Sequence, residues 1–201
     1  MLRCVLCGIA LALGVARVAT ASEITAPVEQ LHAGLIAIMK AGQATPFSQR
    51  YETIAPVIGR TFDLGAILRL AIGSRWASLP ADQQATLAEA FRQYTVASYV
   101  ANFDDYSGQR FEISPTVRAT GNDRVVATTI AGPSGQGHRM AYVMRQEGDG
   151  WRIVDVLADG SVSRVATQRS EMRSLLSDGG ASGLIVGLRR KIAELSGGIL
   201  Q

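Results

Sequence analysis

The chain has 201 residues, 20 basic against 17 acidic side chains (formal net charge +3), and is 47% hydrophobic but only 6% aromatic. Its two cysteines, Cys4 and Cys7, both fall in the first seven residues, so the rest of the sequence excludes disulfides, thiolate ligands and a cysteine nucleophile. The charge balance gives no basic stripe, which argues against nucleic acid as a partner.

The N-terminus is expected to be a leader. Arg3 supplies a short positive region, Cys4 to Ala16 an apolar run, and Ala19-Thr20-Ala21 a small-residue cleavage site, with cleavage expected after Ala21. The apolar run falls short of the roughly 20 residues a spanning helix requires. Without Arg3 and Arg17, 18 basic residues remain against 17 acidic ones, so the isoelectric point near 9.1 overstates the basicity. Residues 1–21 are expected to be a signal peptide. Residues 22–201 are expected to be a single domain, long enough to be stabilised by its own core.

A first helix is predicted from Thr25 to Lys40, with Pro27 in its first turn and Gly42 past its end. Pro46 to Ile58 is a second, bent or ended near Pro56. Asp63 caps a short third helix, LGAILRLAI, closed by Gly73. Pro80 and Asp82 open a long helix running to about Asp105.

That long helix carries AFRQYTVASYVANF. Leu87, Phe91, Tyr94, Tyr99 and Phe103 spread over about 180° of its perimeter, and Val96 and Val100 widen the arc, where a surface helix shows a stripe of about 100° or somewhat more. It must therefore touch two things. The sheet is one candidate; further helices or a bound apolar molecule are the others. Buried tyrosines also need a partner for the hydroxyl.

The period then changes to that of strands: Phe111 and Ile113, the run RVVATTI after Gly121-Asn122-Asp123, HRMAYVMRQ after the loop GPSGQG, and WRIVDVL after Gly148-Asp149-Gly150. The four form an antiparallel meander. Both faces of the last three are apolar; Ala141 and Val143 oppose Met140, Tyr142 and Met144, and Val154 and Val156 oppose Trp151 and Ile153. A sheet wetted on one face would alternate more cleanly, so something covers the second face. Helical spacing returns at Val162, Val165, Ala166, Arg169, Met172 and Leu176, is broken at Gly179-Gly180, and resumes through Leu184, Ile185, Leu188, Ile192 and Leu195. The expected fold is α+β: a curved antiparallel four-stranded sheet wrapped by helices.

Catalytic constellations are sparse. His32 and His138 lack partners at metal-ligand spacing and read as surface or partly packed side chains. GPSGQG lacks the Lys-Ser/Thr of a P-loop and reads as a hairpin loop. Asp104-Asp105 point apart and read as a helix end. Asp155, on an otherwise apolar strand, is either a base with a raised pKa or a structural acceptor of hydrogen bonds. An enzyme acting on a polycyclic lipid, with Asp155 or Tyr142 as acid/base, is one alternative; a ligand-free adaptor is another.

The segments FDLGAILRLAIGSRWASLPADQQATLAEAFRQYTVASYVANFDDYSGQRFEI and WRIVDVLADGSVSRVATQRSEMRSLLSDGG, followed by LIVGLRRKIAEL, resemble the MlaC-like auxiliary component of bacterial lipid transport, also called the toluene-tolerance family. The wording YTVASYVANFDDYSGQRFE and VLADGSVSRVATQRS looks closest to its hopanoid-associated HpnM branch. The resemblance implies a periplasmic carrier similar in fold to nuclear transport factor 2, with a deep apolar pocket, no cofactor and no catalysis. It also implies a phospholipid or hopanoid ligand, an inner-membrane transporter of ABC or RND type as partner, and transient membrane contact. From the faces read above, the pocket wall is expected to comprise Ile67, Leu68, Ile72, Trp76, Leu87, Phe91, Tyr94, Tyr99, Phe103, Met140, Tyr142, Met144, Ile153, Leu188 and Ile192. Arg69, Arg75 or Arg110 is expected near its mouth, facing an acidic headgroup.

Overall fold

Hydrogen-bond chemistry at the helix ends sets the boundaries of the first elements. The computed structural model describes residues 20–133, 135, 137–148 and 150–200. The expected leader up to residue 19, with Arg3, Cys4 and Cys7, therefore lies outside the described residues, as do Ser134 and Gln136 of the GPSGQG loop and Asp149 of the last hairpin turn. Helix α1 spans Ala21–Ala41. Thr20 and Glu23 close a reciprocal cap: the Glu23 N–H donates to the Thr20 hydroxyl at 3.3 Å and the Thr20 N–H donates to the Glu23 carboxylate at 2.7 Å. The helix starts four residues before the predicted point, and Pro27 lies in its second turn. Ile24, Val28, Leu31, Leu35 and Ile38 form its buried stripe at helical spacing.

Helix α2 (Phe47–Thr61) runs through Pro56 instead of ending there. Pro56 sits on the exposed side, so the carbonyl it leaves without a donor, that of Glu52, faces water. Ile54, Ile58 and Thr61 are buried on either side of it and hold the helix to the core. Helix α3 (Leu64–Ile72) has the predicted limits: the Asp63 carboxylate accepts the Ala66 N–H at 2.7 Å, and Gly73 closes it at φ +70°. Asp63→Ala should cost about 1 kcal/mol and lower the melting temperature by roughly 2–4 °C, measured by thermal unfolding.

A 3-10 helix (Gly73–Ser78) leads to α4 (Ala81–Asn102). The strands β1 (Arg110–Thr120), β2 (Asp123–Ala131), β3 (Gly137–Glu147) and β4 (Gly150–Ala158) pair in sequence order, all antiparallel. The meander is as predicted, with one addition. A two-residue fifth strand, β5 (Val162–Ser163), pairs with Leu157 and Ala158. Val162, expected on the following helix, is therefore in this strand and is 54% exposed. Helix α5 (Arg164–Ser196) breaks at Gly180, whose φ of 61° and ψ of −156° lie outside helical space, where the glycine pair predicted a break.

Helices α1, α2, α3 and α5 pack against β4, and α1 also reaches β1 and β2. Helix α4 packs on α2, α3 and α5 and stands off from the sheet. The broad apolar arc of α4 thus meets helices on one side. What lies on its other side is a void. Among the described residues no helix is long and apolar enough to cross a membrane.

Candidate functional site: a cavity between helix α4 and the sheet

The gap between α4 and the strands is a cavity of about 400 Å³. Ligand pockets run from roughly 300 to 1,000 Å³. Successive turns of α4 supply Phe91, Tyr94 and Tyr99 to its wall, Phe103 follows at the C-cap, α3 supplies Ile67, and β3 supplies Met140. These six of the predicted wall residues come together around one space. The aromatic rings are layered: Tyr99 stacks on Phe103 with centroids 5.8 Å apart and meets Phe62 at 5.7 Å with the planes tilted by 56°.

The other predicted wall residues are packed elsewhere. Leu68, Leu87, Met144, Ile153 and Ile192 are fully buried against protein, and Tyr142, Leu188 and Ile72 are nearly so. Trp76 lies on the 3-10 helix, half-buried against the same core. None of the nine lines the cavity. For Tyr142 the reason is α1. Tyr142 and Met144 share a strand face with Met140, but α1 covers Tyr142 with His32, whose Nε2 lies 3.2 Å from the Tyr142 hydroxyl, and Met144 is fully buried in the core. Only Met140, nearer the end of the strand, is left facing the void.

His32 is thus a core residue rather than a surface one. It is 6% exposed and stacks on Phe111 at 4.3 Å. Burial lowers its pKa to about 4, so the ring is neutral near pH 7. Burial likewise holds the Tyr142 phenol well above the usual range, with Tyr99 adding to the effect.

Tyr99 has the same direction of shift from burial, opposed by the nearby Arg164 guanidinium. It remains half-buried because one side of its ring borders the void. Its hydroxyl makes no hydrogen bond to another described residue. A neutral phenol facing an apolar cavity is a donor held ready for an acceptor brought in by a ligand.

Sequence periodicity missed the polar end. His138 and Arg139 at the start of β3, Asp159 after β4, and Arg164 and Gln168 on α5 line the same cavity, with Ser98 and Asn102 from α4. Arg69, Arg75 and Arg110, the arginines expected near the mouth, do not line it. Phe62, Leu64, Val156, Ala158 and Val165 complete the apolar wall. Asp155 also borders the void, but its carboxylate is committed: it accepts the Ser163 hydroxyl, the Val156 N–H at 2.7 Å and the Val165 N–H at 3.1 Å. Through Ser163 and Val165 it fastens β4 to the start of α5, which makes it a structural acceptor of hydrogen bonds. Among the described residues no group of three His, Cys, Asp or Glu is placed to hold a metal ion.

The architecture has a solved counterpart. A phospholipid-binding protein from Ralstonia solanacearum, solved in complex with a phospholipid, superposes with a TM-score of 0.75 over 87% of this chain and 99% of its own, at 20% sequence identity. No curated protein matches the chain in sequence. The model of the MlaC protein family matches residues 29–190, from α1 to the second half of α5. Cavity, fold and family match coincide over nearly the whole described chain, which belongs to the MlaC family.

Proposed function

We propose that the chain is a periplasmic lipid carrier that takes a phospholipid tail into the cavity between α4 and the sheet and passes it between an inner-membrane transporter and the outer membrane. The observation that carries this reading is the void itself. An aromatic and aliphatic wall of Phe62, Ile67, Phe91, Tyr99, Phe103 and Val156 encloses space that no side chain fills. Unfilled apolar surface forfeits dispersion contacts, and an acyl chain restores them. At about 0.8 kcal/mol per buried methylene, ten methylenes contribute roughly 8 kcal/mol before ordering costs. That retains a lipid in water yet lets a transporter compete for it.

The family membership and the phospholipid-bound counterpart support the ligand class. Binding rather than catalysis fits the residues proposed earlier as acid/base candidates. Tyr142 is 1% exposed and tied to His32 away from the cavity, and Asp155 accepts three hydrogen bonds from its own strand and the start of α5. With export, cleavage after Ala21 removes Thr20 and with it the cap of α1, leaving Ser22 as the first residue.

Protein purified from the periplasm in native form should begin at Ser22 by intact mass. Extraction into organic solvent should release phospholipid in stoichiometric amount. A hopanoid in the extract would reassign the ligand. Folded protein that is consistently empty would end the carrier reading.

A further inference from the structure

We infer that Met140 is a site of selective oxidation, where a peroxide converts the thioether in the wall of the empty cavity to a sulfoxide and thereby lowers the affinity for an acyl tail. This rests on the carrier reading above. Cys4 and Cys7 are the only cysteines, and both precede the expected cleavage site. Thioether sulfur is then the most readily oxidised group left in the chain.

Besides Met1 there are four methionines, and three of them are sealed in the core. Met39 is 5% exposed, Met172 3% and Met144 0%. Met140 differs: it is half-buried and borders the cavity. Met144 lies on the same face of β3 four residues further on, so the contrast comes from packing and not from the strand. A cavity of about 400 Å³ is many times the roughly 30 Å³ that a water molecule occupies in the liquid, so a molecule as small as hydrogen peroxide has room there.

The backbone keeps Met140 at the void. It is paired with Thr128 of β2 on one side and Ala158 of β4 on the other, and its carbonyl accepts the Thr128 hydroxyl at 3.5 Å. The strand cannot slide to withdraw a side chain that has become polar.

The step is a two-electron oxidation. A sulfur lone pair attacks one oxygen of hydrogen peroxide, and the S–O bond forms as the O–O bond breaks. The proton on the transferred oxygen passes through solvent to the departing hydroxide, which leaves as water. Sulfur is oxidised, peroxide is reduced, and nothing else is consumed.

The product replaces a flexible apolar side chain with a polar one. In the empty cavity the sulfoxide oxygen is hydrated. An acyl chain strips that water and offers no donor, so binding now buries an unpaired acceptor. A bound tail, in turn, keeps peroxide from the sulfur. Oxidation therefore acts on the empty carrier and spares the loaded one.

Hydrogen peroxide, palmitate and peptide mass spectrometry test this on the exported protein. Met140 should gain oxygen about ten times faster, or more, than Met39, Met144 or Met172. Saturating palmitate should slow that reaction at Met140. By titration calorimetry the oxidised protein should bind palmitate about tenfold more weakly, or worse. Methionine sulfoxide reductases acting on both epimers should restore the affinity. M140L retains an apolar chain of similar size without the sulfur. Its affinity, whatever the untreated value, should not move with peroxide.

Equal oxidation of the four methionines overturns the proposal, and so does an oxidised Met140 with unchanged affinity. An M140L protein that loses affinity in peroxide as the wild type does assigns the effect to another residue. Palmitate that binds without slowing the oxidation of Met140 puts the tail elsewhere and also overturns it. So does a large fall in melting temperature on oxidation, since the loss would then be one of fold. Untreated protein that binds no palmitate overturns the carrier reading and the switch with it, whatever the oxidation rates.

Discussion

Acidification from pH 7 to pH 4 should remove about 3 kcal/mol of stability through one side chain, His32. Its folded pKa is about 4, lowered by burial from the ordinary 6.5. The unfolded chain therefore binds a proton over a range where the folded chain does not. The sign follows from linkage: stability is fully present above pH 6.5, declines as the pH falls, and levels off below pH 4. A gap of about 2.5 pH units at 1.36 kcal/mol each gives roughly 3 kcal/mol by pH 4.

The structural origin is the packing of the imidazole between Phe111 and Tyr142, where the only polar contact among the described residues is the Tyr142 hydroxyl at 3.2 Å. The imidazolium would be charged there with no carboxylate among the described residues bound to it. Carboxylates lower stability over the same acid range. Asp123 is held below its usual pKa chiefly by the hydrogen bond from Arg145, and Glu89 chiefly by that from Arg92. Both pairs are exposed enough to contribute little each. His32→Gln keeps a hydrogen-bonding group opposite Tyr142 but does not titrate. Urea unfolding of both proteins at pH 7, 5.5 and 4 separates the terms. The difference between the two curves should close by about 3 kcal/mol on acidification, relative to its value at pH 7. Parallel curves would refute the assignment.

His32 also marks where sequence reading ran out. Its helix was legible, because Leu31, Leu35 and Ile38 repeat at helical spacing. The side chain itself was read as surface or partly packed, because a lone histidine carries no periodic signal. The β-strand pattern of Met140, Tyr142 and Met144 gave the right shared face. Periodicity reports which residues leave water, not whether protein or empty space receives them. That depends on α1 crossing the sheet over Tyr142 and α4 standing away from it near Met140, both long-range arrangements.

Local punctuation was read well for the same reason in reverse. Asp63, Gly73 and Gly180 act on their own neighbours, and each has the predicted effect. Pro56 did not end its helix, which runs on to Thr61, because Ile54 and Ile58 hold it in the core while the proline faces solvent. Tertiary packing outweighed a local preference. Arg50 is the clearest polar case: it is 6% exposed and donates to the Val100 carbonyl at 3.1 Å and the Thr45 carbonyl at 3.2 Å. It joins the start of α2 to the last turn of α4, and nothing in its sequence neighbourhood points to that. The polar part of the lining was illegible in the same way, since Arg139, Asp159 and Arg164 border one cavity only when β3, the β4–β5 turn and α5 are assembled.

Phe62→Ala should shift the preferred acyl chain toward greater length, because Phe62 is a wall between two spaces. Its ring borders the 400 Å³ cavity, and it also borders an open cleft on the far side, lined by Gly59, Gly65, Ala85 and Ala88. Leu64 shares both spaces. Phe62 is 4% exposed, its ring rests on Tyr99, and its backbone is bridged to Ile153, with the Asp63 N–H donating to the Ile153 carbonyl at 3.0 Å. The wall is therefore fixed.

Removing the ring costs about 3–5 kcal/mol of stability, and Phe62→Leu provides a milder companion that narrows the wall without deleting it. Two effects on binding oppose one another. A short chain that ended against the ring loses contacts and binds more weakly. A longer chain gains room, at about 0.8 kcal/mol for each further methylene it buries. The gain stops where the chain reaches Asp63, Glu89 and Arg92, which line the far cleft and keep it wet. The expected result across a homologous series of saturated fatty acids is a crossover. Affinity should fall relative to wild type for the shortest members and rise for the longest, with Phe62→Leu in between. A crossover is insensitive to a uniform loss of affinity from partial unfolding, which would lower every member alike. An unchanged length optimum in a variant that still melts cooperatively would show that Phe62 does not bound the tail.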